Sequence, residues 1–389
     1  GVNPVVANLT GYDDQKSYFF QSSLTAEVDI PSVDGWTVSG TVAYDQQVDN
    51  NRWWQKPWTL YTFGGFDEND EPVLVPNEVG VPDPRLNQFS QNQQDILLRA
   101  TTRYEAASGS HHGSVLLGTE YEYGNGRFTN AYRRYFPTEK IQELFAGGTQ
   151  EQDLDGNSWH STRLNFFGRA SYDYEGRYIL EFVGRYDGSY QFPKGERFGF
   201  FPSVSAGWNI AYEDWFQAAT GDFFDRLQLR SSFGQTGNDN IVNPNNPDEE
   251  LFFQYLQTFG FSTPYAYGDG LAPAISPTRV PNPDITWEVA TQFDIGLNGS
   301  FLDDRLSFET TYFNQFRKDI LWFRSQSVPQ SAGFTLPAEN LAEVRSWGLE
   351  GQVQYVHQLT SDVTLRVGGN MSWARDKIVF FDEPDGLPE

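Results

Sequence analysis

The sequence predicts an all-β protein, an antiparallel transmembrane β-barrel built from about twelve strands. Three observations lead to this class: long segments that alternate apolar and polar residues, connections that are alternately short and long, and a high aromatic content. Of the 389 residues, 16% are aromatic, which suits the aromatic girdles of a barrel. Strands of ordinary globular sheets are about five or six residues long. Several segments here alternate for longer, as a tilted strand that crosses a bilayer would.

The clearest alternation runs through residues 178–212 and 285–301. Leu180 and Phe182 share one parity in the first stretch, and Glu181 lies between them. In the second stretch, apolar residues at odd positions alternate with acidic and amide residues at even positions. A period of two residues places one class of side chain on each face of a strand. The pattern therefore predicts strands with one apolar and one polar face.

Twelve such segments follow one another along the chain. They lie at residues 18–30, 36–44, 92–106, 114–123, 161–174, 177–187, 200–212, 226–234, 285–300, 305–318, 345–358 and 362–374. Tight turns rich in Gly, Asp, Pro and Ser join some neighbours, and long connections join the others. The long connections are predicted as irregular loops at residues 49–91, 125–158, 235–284 and 319–343. Short turns at one end and long loops at the other are typical of outer-membrane barrels, and such loops are unusual in compact soluble domains.

Composition excludes several classes of function. The net charge is −25, from 27 Lys and Arg against 52 Asp and Glu, so no basic surface is available to bind nucleic acid. The chain has no cysteine, which removes disulfides and thiolate metal sites. The sequence contains no run of 18 apolar residues, so it predicts no membrane-spanning helix. His160 lies near two serines without a spaced aspartate, so we predict no hydrolytic triad and no enzyme activity.

Four ordered stretches carry a family resemblance. They are RYDGSYQFPKGERFGFFPSVSAGWNIAYEDWF at 185–216, LQLRSSFGQTGNDNI at 227–241, NPDITWEVATQFDIGLNGSFLDDRLSFETTYFNQFRKDIL at 282–321 and ENLAEVRSWGLEGQVQY at 339–355. Together they resemble the SusC/RagA-like TonB-dependent outer-membrane transporters. The resemblance implies a 22-stranded barrel in the outer membrane of a Gram-negative bacterium, closed by an N-terminal plug domain.

The same resemblance implies a function and partners. Its members import oligosaccharides or peptides with a SusD-like surface lipoprotein, and the TonB complex supplies energy through the plug. Residues 1–389 show no signal peptide, TonB box or plug domain, so we expect a partial barrel domain with about twelve of the strands. Two alternatives stay open: a passive porin-like channel, and a soluble β-rich glycan-binding protein.

Two groups of residues are candidates for contact with a solute. Trp53, Trp54 and Trp58 follow the second segment, where their rings could stack on sugars. Aromatic residues at that height also belong to the interfacial girdle or pack within loops, and we favour this second interpretation. The second group shares the polar parity of segments nine and ten and is predicted to face the lumen, where it would contact the plug or solute. Its members are Glu288, Gln292, Asp294 and Glu309.

One short motif suggests a metal ion. Asp153, Asp155 and Asn157 resemble the start of a calcium-binding loop. Leu164 stands where such a loop has its bidentate Glu, so we favour an Asx-rich turn as the explanation of the motif. Apart from this possible structural Ca²⁺, the sequence predicts no cofactor.

Overall fold

The chain was analysed as a computed structural model that describes residues 10–243, 246–268, 270–324 and 337–382. Its strands, in chain order, are β1 (Gly11–Asp29), β2 (Trp36–Gln55), β3 (Trp58–Phe66), β4 (Pro72–Val79), β5 (Arg85–Ser108), β6 (His111–Arg134), β7 (Asp153–Tyr174), β8 (Tyr178–Ser189), β9 (Phe198–Asn209), β10 (Phe224–Asn238), β11 (Val242–Asn243), β12 (Asn246–Glu250), β13 (Phe259–Tyr267), β14 (Gly270–Pro277), β15 (Glu288–Phe301), β16 (Leu306–Phe323), β17 (Ala338–Gln358) and β18 (Thr364–Phe380). A helix, α1, spans Asp214–Thr220.

Twelve of these strands form one antiparallel sheet. The order is β1-β2-β5-β6-β7-β8-β9-β10-β15-β16-β17-β18, so strands that are consecutive in the sheet are also consecutive along the chain apart from the small ribbons. The remaining strands pair as β3 with β4, β11 with β12 and β13 with β14. The predicted all-β class and the twelve predicted strands are confirmed.

The long connections contain far more strand than we predicted. The second segment was predicted to end at residue 44 but continues to Gln55, and the fifth begins at Asp153 rather than at residue 161. The ladder continues in these parts although their sequences lack a strict alternation of apolar and polar residues. The irregular loop predicted at 49–91 is thus largely paired strand, whereas in the loop predicted at 125–158 only residues 125–134 and 153–158 belong to strands. In the last loop, residues 325–336 lie outside the described part of the chain.

Turns at the opposite strand ends match the prediction. Glu175, Gly176 and Arg177 link β7 to β8, and the first two have φ values of 54° and 64°. The amide of Arg177 donates to the carbonyl of Tyr174 at 2.9 Å, so Glu175 and Gly176 are the central residues of a tight turn, and glycine adopts a positive φ without steric cost. The side chain of Asp173 accepts a hydrogen bond from the amide of Gly176 at 3.0 Å. This tight turn fixes the register of the hairpin.

One face of the sheet is a continuous apolar surface. Phe182 lies opposite Val204, and Phe233 lies opposite both Val204 and Phe293. The side chains of these four residues are roughly 40–50% exposed although they are large and apolar. Such a surface is expected where strands face hydrocarbon. We call it the apolar face, and the opposite side of the strands the polar face.

Two compact units can be distinguished by their contacts. The first comprises residues 1–25, 41–98 and 122–162. Its buried core consists of Trp54, Leu86 and Phe136, with Leu144 and Ala146 packed against them. From its sequence, the stretch YFPTEKIQELFAGG at 135–148 could form a short helix, but the structure has only a 3-10 turn there, at Leu144–Ala146.

The second unit comprises residues 26–40, 99–121 and 163–389. Its core includes Phe192, Phe201, Ile285 and Trp287. We predicted that the ninth strand begins at residue 285, but Ile285 and Trp287 precede β15 and are buried in this core instead. A Cβ atom on Gly237 would lie 2.0 Å from the ring of Phe201, so only glycine fits there.

The helix α1 is held at its start by an acidic side chain. The carboxylate of Glu213 accepts hydrogen bonds from the Tyr178 hydroxyl at 2.6 Å and from the Trp208 indole at 2.9 Å. These bonds, that of Tyr178 first, hold the pKa of Glu213 below its usual value. Within the described residues, no helix is long and apolar enough to cross a membrane.

Candidate functional site

The four residues predicted to face a lumen all lie on the polar face. Glu288, Gln292 and Asp294 occupy even positions of β15, between half-exposed apolar residues at odd positions. Glu309 lies on β16 and pairs with Asn298 of β15, which has the same parity as the other three. The period-two assignment of these side chains to a common face is therefore correct.

Each of these side chains is held by neighbours on adjacent strands. Asp294 accepts hydrogen bonds from Ser232 at 3.1 Å and from Gln292 at 3.0 Å. The Gln292 carbonyl in turn accepts a bond from Gln315 at 3.2 Å. Charged and amide groups on this face thus form cross-strand networks, which rigidify the sheet and leave a surface rich in acceptors.

Glu288 is the first residue of β15 and lies at one end of this polar surface. Its carboxylate accepts a hydrogen bond from the guanidinium of Arg317 at 2.8 Å and one from the Asn238 amide at 3.3 Å. The Glu288 side chain is only 15% exposed, whereas that of Arg317 is 42% exposed. The carboxylate is therefore shielded, and its arginine is the more accessible member of the pair.

A central arginine that the sequence did not single out joins three strands. The Nε of Arg230 donates to Asn298 at 3.1 Å, and its Nη2 donates to Glu309 at 2.5 Å and to Thr311 at 2.6 Å. Arg230 could be placed on the polar parity of its own strand from the sequence alone. Its partners are 68 to 81 residues away along the chain, so only the pairing register identifies them.

A polar cavity of about 430 Å³ adjoins this network. Its lining includes Asn209, Tyr212, Arg226, Gln228, Asn298 and Gln352. Asp304, in the turn after β15, accepts bonds from Ser300 at 2.6 Å and from Arg226 at 2.9 Å. These partners, Ser300 first, keep the pKa of Asp304 below its usual value, so the turn carries a charged pair at neutral pH.

Other arginines on the polar face are also ion-paired. Arg163 binds Asp239 through two bonds of 2.9 and 3.0 Å, and Arg169 forms an ion pair with Glu181. In both pairs, as in the pair of Arg317 with Glu288, the arginine is more exposed than the carboxylate. The polar face therefore offers amide and hydroxyl groups together with ion-paired charges of both signs.

The tryptophans near residue 55 do not form an open stacking surface. Trp54 is 2% exposed, and its ring meets that of Phe136 edge-on at 4.8 Å. Trp58 is half-buried, and Gly80 approaches so closely that a Cβ atom there would lie 2.6 Å from the indole nitrogen. Our prediction that Trp54 contacts a sugar is wrong, because packing in the loop core covers its ring. Trp53 is half-buried and stays a candidate.

The calcium motif does not adopt the predicted turn. Asp153, Asp155 and Asn157 lie at the start of β7, in extended backbone. Asp153 and Asn157 are therefore about 13 Å apart along the strand, too far to bind one ion together. Asp155 and Asn157 instead accept bonds from the following backbone amides, both at 2.8 Å. Within the described part of the chain, no three His, Cys, Asp or Glu residues are grouped as metal ligands.

A comparison with known protein families gives a β-barrel family, in agreement with the sheet and its two faces. The chain matches the family of TonB-dependent receptor-like β-barrels over residues 2–388. It belongs to this family. The resemblance described from the sequence motifs is thereby confirmed. Proteins of this family are receptors and transporters rather than enzymes, and they lie in the outer membrane of Gram-negative bacteria.

Individual relatives are similar over most of this chain. TonB-dependent receptor P3 of Formosa agariphila is 27% identical over 334 residues, which cover 84% of this chain and 32% of that protein. TonB-dependent receptor SusC of Bacteroides thetaiotaomicron is 25% identical over 299 residues, 74% of this chain and 28% of that protein. The receptor chain therefore spans about a third of the length of these relatives.

A solved structure has the same fold. The RagAB peptide importer in its open-open state superposes with a TM-score of 0.78 over 97% of this chain and 38% of that chain. The sequences are 20% identical, so this likeness shows the fold alone. It places the twelve-stranded sheet of the receptor among TonB-dependent barrels.

Proposed function

We propose that this receptor forms part of a SusC-like importer that takes up oligosaccharides or peptides across the outer membrane with energy from TonB. The observation that carries the proposal is the family match over residues 2–388, together with a sheet that has one apolar and one polar face. The similarity to TonB-dependent receptor SusC and the fold shared with the RagAB peptide importer support this proposal.

The polar face is proposed to line the passage. Glu288, Gln292, Asp294 and Glu309 would then face the lumen, where they contact a plug domain of the whole protein or the passing solute. Their carboxylates and amides are held by cross-strand partners and so are preorganised. An oligosaccharide or a peptide backbone offers many hydroxyl or amide groups that such acceptors can bind. Binding either solute does not require an arginine or lysine that lacks an ion pair.

A SusD-like surface lipoprotein is the proposed partner of the long connections. The β3–β4 ribbon exposes Tyr61, Phe63 and Phe66, and the β13–β14 ribbon exposes Phe261 and Ile275. Apolar side chains on solvated ribbons are unfavourable unless another protein or a ligand covers them. We propose that the lipoprotein covers these ribbons and encloses the solute above the barrel.

Uptake by cells that carry the full-length receptor tests this function. Labelled oligosaccharides and peptides would be offered to cells with and without a functional TonB complex. We expect uptake of one of these classes, and we expect it to fall to background without TonB. Equal uptake in both strains would contradict active import and indicate a passive porin-like channel. A receptor that is released from membranes without detergent would instead indicate a soluble binding protein.

Cysteine labelling tests the assignment of the polar face to the lumen. The chain has no cysteine of its own, so an introduced cysteine is a unique label site within it. In the full-length receptor, Gln292→Cys should react with a water-soluble maleimide at least about tenfold faster than Phe293→Cys, because adjacent strand residues face opposite sides. Equal rates for the two variants, or faster labelling of Phe293→Cys, would contradict the assignment.

A further inference from the structure

Four basic side chains lie on the apolar face of three neighbouring strands, at the end of the strands where the connection between β16 and β17 lies. They are Lys318 of β16, Arg345 of β17, and Arg375 and Lys377 of β18. All four are exposed, and we call them the basic cluster. Its presence is unexpected because the chain as a whole has a net charge of −25.

The cluster brings like charges together without neutralising them. Arg345 and Lys377 are direct partners across the β17–β18 ladder, and like charges in that position destabilise a sheet. Arg345 is on β17, which pairs with β16 on one side and with β18 on the other. Among the described residues, its guanidinium donates only to the side chain of Asn314, at 3.3 Å. Lys318 has a carboxylate neighbour, Asp319, at 3.5 Å.

Ion pairs do form on the polar face of this part of the sheet. There, Arg230 of β10 binds Glu309 of β16, and Arg317 of β16 binds Glu288 of β15. Within the described residues, no comparable ion pair involves Arg345, Arg375 or Lys377. Three adjacent cations on the apolar face without an ion pair in the described part of the chain are suited to an external anion.

The cluster lies at the depth of lipid headgroups. Along β18, the apolar-face residues are Met371, Trp373, Arg375 and Lys377 in that order, a change from apolar through aromatic to basic. The guanidinium of Arg375 lies 5.9 Å from the ring centre of Trp373, and Trp347 is its partner on β17. Tryptophans mark the membrane–water interface, so the cations just beyond them are level with the headgroups.

We propose that the basic cluster binds the phosphate groups of a lipid headgroup in the outer leaflet. Long connections of such barrels lie on the extracellular side, which assigns this end of the strands to the outer leaflet. Arginine presents paired donors that match phosphate oxygens, and lysine adds a further point charge. One phosphorylated headgroup would therefore relieve the repulsion between Arg345 and Lys377. The inference rests on the family and the faces of the sheet and is independent of the transported solute.

Lipid retained by the purified full-length receptor tests this inference. The receptor would be extracted from its outer membrane in mild detergent and analysed by native mass spectrometry and phosphorus content. The test variant carries Arg345→Gln, Arg375→Gln and Lys377→Gln. The control is Arg366→Gln, which removes one positive charge from the polar face of β18, opposite Val356, and so matches the single variant Lys377→Gln in charge. We expect wild type and control to retain a phosphorylated lipid, and the triple variant to retain at least about tenfold less.

The masses of the retained molecules distinguish the sources of phosphate. A phosphorylated lipid that is lost only in the triple variant supports the inference. Retention unchanged in the triple variant, no phosphorylated lipid on the wild type, or binding of only inorganic phosphate from the buffer would overturn it. If the triple variant does not assemble, the single variant Lys377→Gln, at an exposed strand position, takes its place with the same expected direction.

Discussion

Replacing Trp54 tests whether this ring is a structural core residue or a ligand contact. Trp54 is 2% exposed and packs against Leu86 and Phe136. Truncating a buried tryptophan to alanine costs about 3–5 kcal/mol, because transfer energy is lost and a cavity remains. Since about 1.4 kcal/mol corresponds to a factor of ten, Trp54→Ala should raise the local opening constant by about a hundredfold to a few thousandfold. The opening should be confined to the segments around this core.

Hydrogen exchange on the full-length receptor in detergent measures that opening directly. Amide protection around Leu86 and Phe136 should fall by the calculated factor in Trp54→Ala. The neighbouring variant Trp53→Ala is the matched control, because its half-buried ring should cost about 1 kcal/mol or less. Equal losses in both variants, or no loss in Trp54→Ala together with weaker solute binding, would refute the structural role.

Two further changes act on the long connections. Asp83 accepts a bidentate hydrogen bond from Arg134, at 2.5 and 2.9 Å, and this bond chiefly lowers the pKa of Asp83. The stabilisation is complete above the unfolded carboxyl pKa of about 3.9 and is lost as pH falls through the lower folded pKa. When the pH falls below about 4, amide protection near Asp83 should therefore decrease. Asp83→Asn should remove this pH dependence and lower the stability at pH 7 by about 1–3 kcal/mol. If the variant kept the wild-type pH profile, this prediction would be contradicted. Gly80 has a φ of 88°, and a Cβ atom on it would lie 2.6 Å from the Trp58 indole nitrogen, so Gly80→Ala should increase proteolysis of the β3–β4 ribbon. Gly65 also has a positive φ, but a Cβ atom there would meet open space, so Gly65→Ala should increase proteolysis less. Equal cleavage of the two would exclude the contact with Trp58 as the cause.

Much of the fold could be predicted from periodicity and turn chemistry. Alternation identified all twelve sheet strands, and the Glu175–Gly176 turn and similar short connections marked one end of each hairpin. The parity of Glu288 and Glu309 was also correct, because a side chain's face follows directly from its position in a strand.

Other features depend on residues that meet only in the folded chain. Trp54 and Trp58 look alike in the sequence, yet Trp54 is buried because Phe136, 82 positions further on, packs against it. The calcium motif looked like a turn because pairing of its backbone in β7 could not be seen locally. Strand ends in the long connections were missed for the same reason, since their ladders continue without apolar alternation.

The sequence by itself determined the all-β class, the number of strands in the sheet and the face on which each strand residue lies. These properties are local, because they depend on side-chain alternation and on the conformations that turn residues allow. Tertiary structure alone decided the partners: Arg230 with Glu309, Phe201 with Trp287, and Arg345 opposite Lys377. Register between strands brings distant residues together, and it is set by the whole sheet rather than by any one segment.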